Sequence, residues 1–507
     1  MRNRLPGIRA ASRTALALVT AAALVGVAQP AAMATAAGQA PASIQGPPHV
    51  RLVKAESKMT VPVFGKHNFA FVDPGIYVAS FGSPLIFHVQ RASLAKPITI
   101  SQVLQLPGGG TKTVAWPSST LDRFNGLRQF ITLRITNSAG KVVATRKLGF
   151  CPNNNPQPTN SQSRISSPYP QQCSAFGDPF QQSMVWALAR GWAAEPGAAF
   201  FGGLTFHLKP GKTYQLTETM AAGYTQLLHI AAAQASATVK VKTVKASNSF
   251  SGSRRAPARH GALPTLPRNI PILNNPPAAS LPDLAPLPSW GAFTTHLRAT
   301  KKRPAKNLLN FNATVAIDGH AQLDVEGFRR NSEPAMKAYQ YFWLHGHVIG
   351  RARVGTMGVE EDHAWHFQQF ARYQLLNADK KTVVASHKEG FCIAPTDPIS
   401  LLLPGAVWQP SFTGLVDACG NPSSLAVSEQ LPLGWADTYT QFNPGEAFDI
   451  TNLPNGTYYI EIIANPEHLL HETSTANDIS LRKVILGGTR AHRTVRVPAI
   501  DGIDPEH

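Results

Sequence analysis

Apolar positions recur along the chain in short runs, several alternating with polar ones, and not at helical spacing. TVPVF (60–64), PITISQVLQL (97–106), FITLRIT (130–136), TVVAS (382–386) and YYIEIIA (458–464) are rich in β-branched and aromatic residues. Gly, Pro and Asn punctuate them at short intervals, which is strand-and-turn grammar. The pattern predicts an all-β protein built as β-sandwich-like domains. FDITNLPNGTYYIEIIANP is expected to form a hairpin turning at Pro454-Asn455-Gly456. The alanine-rich stretch 231–237 is the best place for a short helix, and no long helix is expected.

At 507 residues the chain exceeds one ordinary core. Residues 246–282 are rich in Pro, Ser, Ala and Arg without a sustained period, and read as a linker between domains at 48–245 and 283–507. The halves resemble each other. QFITLRITNSAGKVVATRKLGFC (129–151) aligns with QFARYQLLNADKKTVVASHKEGFC (369–392), with one residue inserted in the second copy. Downstream, FHLKPGKTYQL (206–216) matches FDITNLPNGTYYI in placing Pro-Gly or Pro-Asn-Gly before Thr-Tyr. A divergent tandem duplication of one β-domain is the expectation.

The first residues carry Arg2, Arg4, Arg9 and Arg13, then an apolar run from Leu16 to Ala28 and Ala32-Met33-Ala34. This is a signal-peptide pattern over 1–34, with a disordered tail over 35–47, and the run is too short to span a bilayer. Secretion is therefore expected, with no membrane span. Export permits disulfides, and the four cysteines fall as Cys151 with Cys173 and Cys392 with Cys419. Local pairing is the most economical of the three connectivities.

The net charge of +18 is unevenly spread. From Asp283 onward 19 Lys and Arg face 23 Asp and Glu, and residues 1–282 hold the other 28 basic and 6 acidic residues. A basic half outside the cell suggests an anionic partner such as an acidic wall polymer or polysaccharide, and nucleic acid is not expected in that compartment.

The second half carries VEGFRR (325–330), AYQYF (338–342), VGTM (354–357), HAWHFQQFARYQLL (363–376), HKEGFC (387–392) and DTY (437–439). With the NPEHLLHETSTAND segment that follows the expected hairpin, these resemble the lysyl oxidase family, its bacterial branch in particular. The resemblance implies a copper amine oxidase. Such enzymes oxidise a primary amine, typically that of a lysine-containing peptide or protein, to an aldehyde, releasing ammonia and hydrogen peroxide. It also implies a lysine tyrosylquinone, formed by linking a lysine to an oxidised tyrosine. Those two positions fall on Lys388, in His-Lys-x-x-Phe-Cys, and on Tyr439, the end of Asp-Thr-Tyr. A phenol that oxidises and an amine that adds to it are the residue types this chemistry needs. Lys147 occupies the place of Lys388 in the first copy, where no Asp-x-Tyr or histidine accompanies it.

The family's copper ligands are three histidines at alternate positions, which an extended strand puts on one face. Aligned on Trp365-His366-Phe367, those positions become Asp362, Ala364 and His366, with His363 one step out of register unless a bulge re-aims it. Asp362, His363 and His366 are the expected metal-binding residues. His345, His347, His387, His468 and His471 are the other candidates in this half. Two functions follow: a secreted copper-dependent amine oxidase, or a catalytically degenerate family member that binds a wall or matrix. No Gly-x-Ser-x-Gly, His-Glu-x-x-His or phosphate-binding glycine loop supports a hydrolase or nucleotide enzyme.

Overall fold

The computed structural model describes residues 47–160, 166–175, 177–197, 204–246, 270–330, 333–360, 363–388, 390–410, 418–442, 446–501 and 503. The expected signal peptide and tail up to residue 46, residues 247–269 of the linker, and Asp362 lie outside them.

The described chain is almost entirely strand, arranged in several sheets. Helix is limited to short turns, among them Ala222–Leu227 and the 3-10 turn Ala232–Gln234, which falls within the alanine-rich stretch. In the first half, seven strands form one sheet: β1 (Lys58–Phe64), β2 (Phe69–Val72), β3 (Leu127–Asn137), β4 (Val142–Phe150), β5 (Leu204–His207), β6 (Thr213–Met220) and β7 (Ser236–Lys245). Their order is β5-β2-β1-β7-β6-β3-β4. Alternation decides the faces. Val61 and Val63, Ile131, Leu133 and Ile135, Leu216, Val239 and Val241 point inward and are buried, while Lys58, Arg134, Lys240 and Lys242 point out.

In the second half, β8 (Lys306–Gly319) anchors one sheet. Four further strands, β9 (Leu323–Phe328), β10 (Met336–Leu344), β11 (His347–Val359) and β12 (Trp365–Gln368), run side by side in another. A third contains β13 (Ala371–Leu376), β14 (Thr382–Ala385), β16 (Gly456–Ala464) and β17 (Ile479–Thr489) in the order β14-β13-β16-β17. Trp435–Gln441, here β15, pairs with β8.

The expected hairpin is corrected. Phe448–Asp449 pairs with β8 while β16 pairs with β13 and β17, so the segment around Pro454 carries the chain from one sheet to another. Phe448 is buried against Phe311 of β8, ring centroids 4.8 Å apart, and that burial outweighs the local turn preference.

The same backbone pattern occurs in both halves. The order β7-β6-β3-β4 repeats as β17-β16-β13-β14. Asn137 Oδ1 accepts from the amides of Ala139 and Lys141, and Asn377 Oδ1 from those of Asp379 and Lys381. The glutamines that precede Phe130 and Phe370 both have positive φ, 49° at Gln129 and 67° at Gln369. The carbonyl of Phe130 takes the amide of Ala221, and that of Phe370 takes the amide of Asn465.

Disulfides join Cys151 to Cys173 and Cys392 to Cys419. The halves pack on each other through one continuous apolar cluster. Backbone amides of Gln182 and Ser183 donate to Ile399 O, Tyr169 stacks on Trp408, and Gln409 Nε2 donates to the carbonyls of Ser167 and Tyr169.

Candidate functional site

Lys388 lies between β14 and the short strand Gly390–Phe391, which pairs with β12. Tyr439 comes from β15, where it pairs with Ala313 of β8. Although 51 residues separate them, the fold brings them together: Lys388 Nζ lies 4.9 Å from the centroid of the Tyr439 ring. Phe391 holds both, its ring perpendicular to that of Tyr439 at 5.1 Å and its centroid 5.2 Å from Lys388 Nζ. The phenol donates a 2.6 Å hydrogen bond to the carbonyl of Cys392, so the Phe-Cys of the motif fixes the tyrosine by packing and by the backbone. Burial, with the charges of Asp437 and Glu429 adding to it, raises the Tyr439 phenol well above its ordinary range.

Two carboxylates face the ammonium, Glu446 at 3.7 Å and Glu360 at 4.0 Å. The Lys388 side chain is only 8 % exposed, so this pairing supports a nearly dehydrated charge. Beneath it Asp437 and Glu429 are buried, and loss of hydration pushes both well above the normal carboxyl range. Glu429 accepts the amide of Ile393. Neither Glu360 nor Glu446 was singled out in the sequence.

Glu360 also meets His366, whose Nδ1 is 2.9 Å from its Oε2. His366 points inward from β12 and is buried. The hydrogen bond from His366 leads the effects that hold the Glu360 carboxyl below its usual range, with the nearby Lys388 charge adding to it. A chain of His366, Glu360 and Lys388 therefore occupies the region beside Tyr439. Gly390 comes close to the same carboxylate, and a Cβ there would push aside the ends of the Glu360 and Gln368 side chains.

The other histidines considered as ligands lie away from this chain of contacts. His363 is exposed in the turn before β12, in left-handed backbone at φ 64°, and donates its amide to Glu360 O. Ala364 offers no donor, and Asp362 lies outside the described residues. His345 and Gly346, both of positive φ, form the exposed two-residue turn between β10 and β11. His387 and His468 are exposed, and His471 packs edge-on against Phe342, its ring pushed toward the neutral form by burial.

Residues 359–494 match the family model described as lysyl oxidase. The C-terminal region belongs to the lysyl oxidase family. No curated protein matches the chain. The family match spans β12 to β17 and includes Lys388, Tyr439, Glu360 and His366.

The lysyl oxidase assignment implies copper, and among the described residues the donors do not fit it. Copper of this class needs three converging nitrogen donors, whereas His366 is committed to a carboxylate that also faces an ammonium. Among the described residues no three His, Cys, Asp or Glu side chains converge as a metal site. Lys147 of the first half is exposed on β4, its amine donating to Gln129 Oε1 at 3.2 Å.

Proposed function

We propose that this chain is a catalytically silent, lysyl-oxidase-like extracellular binding protein, a tandem duplication in which neither copy retains the copper centre. The observation carrying it is the His366–Glu360–Lys388 chain. It satisfies the buried histidine and lysine with a carboxylate where the family places a metal ion beside its cofactor pair. The repeated Asn turn, strand order and disulfide support one ancestral unit for the halves at 48–245 and 283–507. The signal-like N-terminus and the basic first half support secretion to an anionic surface.

The competing reading is an active copper amine oxidase acting on lysyl amines. The 4.9 Å approach of Lys388 to Tyr439 favours it, since it is the closeness that a lysine–tyrosine cross-link needs. Metal content separates the two. Protein expressed and dialysed with copper retains no stoichiometric copper by elemental analysis and releases no peroxide with lysine-containing peptides if it is silent. One tightly held copper per chain together with turnover overturns the proposal.

A further inference from the structure

The outward face of the seven-stranded sheet carries a charge pattern that folding alone does not favour. Lys58 of β1, Lys240 and Lys242 of β7, Arg134 of β3 and Lys147 of β4 all project from it and are exposed. The seven strands contain one acidic residue, Glu218, and it is buried on the opposite face. Lys58 and Lys240 stand directly opposite each other in register. Like charges so placed repel and destabilise a sheet. None of the five cations is in an ion pair among the described residues.

The registers order these charges. Lys242 lies beyond Lys240, Gln215 stands beside Lys240, Arg134 is opposite Thr217, and Lys147 is opposite Thr132. They form a diagonal stripe from β1 to β4, a span of about 19 Å at the usual strand spacing. Hydroxyls fill the ground between them, with Thr217 paired to Thr238 at 2.9 Å and Thr219 to Ser236 at 3.1 Å. Beyond Lys58 the same face ends in rings. Phe64 lies 6.2 Å from Phe71, Phe69 lies 4.7 Å from His207, and Phe69 and Phe71 are 38 % and 53 % exposed.

We propose that this face is the docking surface for a linear acidic polysaccharide bearing carboxylates. Charge complementarity selects a polyanion, because the stripe is unneutralised and extended. The hydroxyls and Gln215 match ring hydroxyls, and the Arg134 fork suits a carboxylate. The exposed phenyl rings give sugar C–H faces an apolar platform at one end. A single-stranded nucleic acid calls for rings among the cations so that successive bases stack along the charged track. Here the rings gather at one edge and the cations occupy the rest. The inference names the partner and surface of the binding function proposed above, and it involves no residue near Lys388.

The test is affinity of the full chain for sodium polygalacturonate, with neutral dextran and poly(dT) as comparison arms. The quadruple variant Lys58→Gln, Arg134→Gln, Lys240→Gln, Lys242→Gln changes exposed residues only, and thermal melting verifies that it folds. The wild type binds polygalacturonate at low salt, more weakly as salt rises, and the variant loses at least tenfold. Phe71→Ser also weakens binding while keeping the salt dependence. No binding by the wild type, unchanged binding by either variant, equal binding of dextran, or tighter binding of poly(dT) overturns the proposal. A Lys388–Tyr439 cross-link would overturn catalytic silence and leave this result untouched.

Discussion

At the Glu360 carboxylate, His366, Lys388 and the bare Cα of Gly390 converge on one small volume. Gly390→Ala forces that carboxylate and the Gln368 amide aside, and because both are ends of flexible side chains, urea unfolding is expected to show a loss of about 1–2 kcal/mol, the low end for overpacking. Glu360→Gln keeps the volume but removes the charge facing Lys388. The carboxylate is one-third exposed, so the expected loss is smaller, about 1 kcal/mol, with solvent screening the rest. A neutral result for Gly390→Ala would mean that Glu360 is not held against the chain there. Lys388 and Tyr439 were legible in the sequence because short motifs surround them. Glu360 was not, since an acidic residue at a strand end is ordinary and only the fold returns it to the lysine. His363, one step out of register with the ligand positions in the sequence, sits in a left-handed turn that leaves it in solvent.

At the scale of elements, the repeated strands were readable because alternation and turn residues act locally. The turn at Asn137 and its counterpart at Asn377 each use one side-chain oxygen to cap two amides. Asn137→Ala and Asn377→Ala should each cost about 1 kcal/mol in denaturant unfolding, with similar effect in the two halves. A large loss at one and none at the other would contradict their equivalence. The hairpin expected at Pro454 failed for a reason outside its own sequence. Phe448 buries against Phe311 in a different sheet, and no local pattern reports which sheet a strand joins. The same ignorance hid the meeting of Ser183 with Ile399 and of Tyr169 with Trp408, where the two halves share one apolar cluster.

Across the whole molecule, several buried carboxyls set how stability depends on pH. Burial pushes Glu218 to about 8 and Asp324 to about 8, and burial followed by Asp73 pushes Glu195 to about 8. Folding therefore favours their protonated forms. That contribution is fully present below the ordinary carboxyl range near pH 4 and is lost as pH climbs to about 8. The melting temperature should fall between about pH 4 and pH 8, and Glu218→Gln should flatten the fall and raise stability at about pH 8. A melting temperature that rises over this interval would show these groups ionised in the folded protein. Because one apolar cluster runs through both halves, each melt should show a single cooperative transition.

Whether Lys388 and Tyr439 stay unlinked separates a silent protein from an active oxidase, and peptide mass mapping of protein expressed in copper-supplemented medium reads this out. The tryptic peptides carrying Lys388 and Tyr439 are expected to be recovered separately at their unmodified masses. A single cross-linked species joining Lys388 to Tyr439 would contradict catalytic silence.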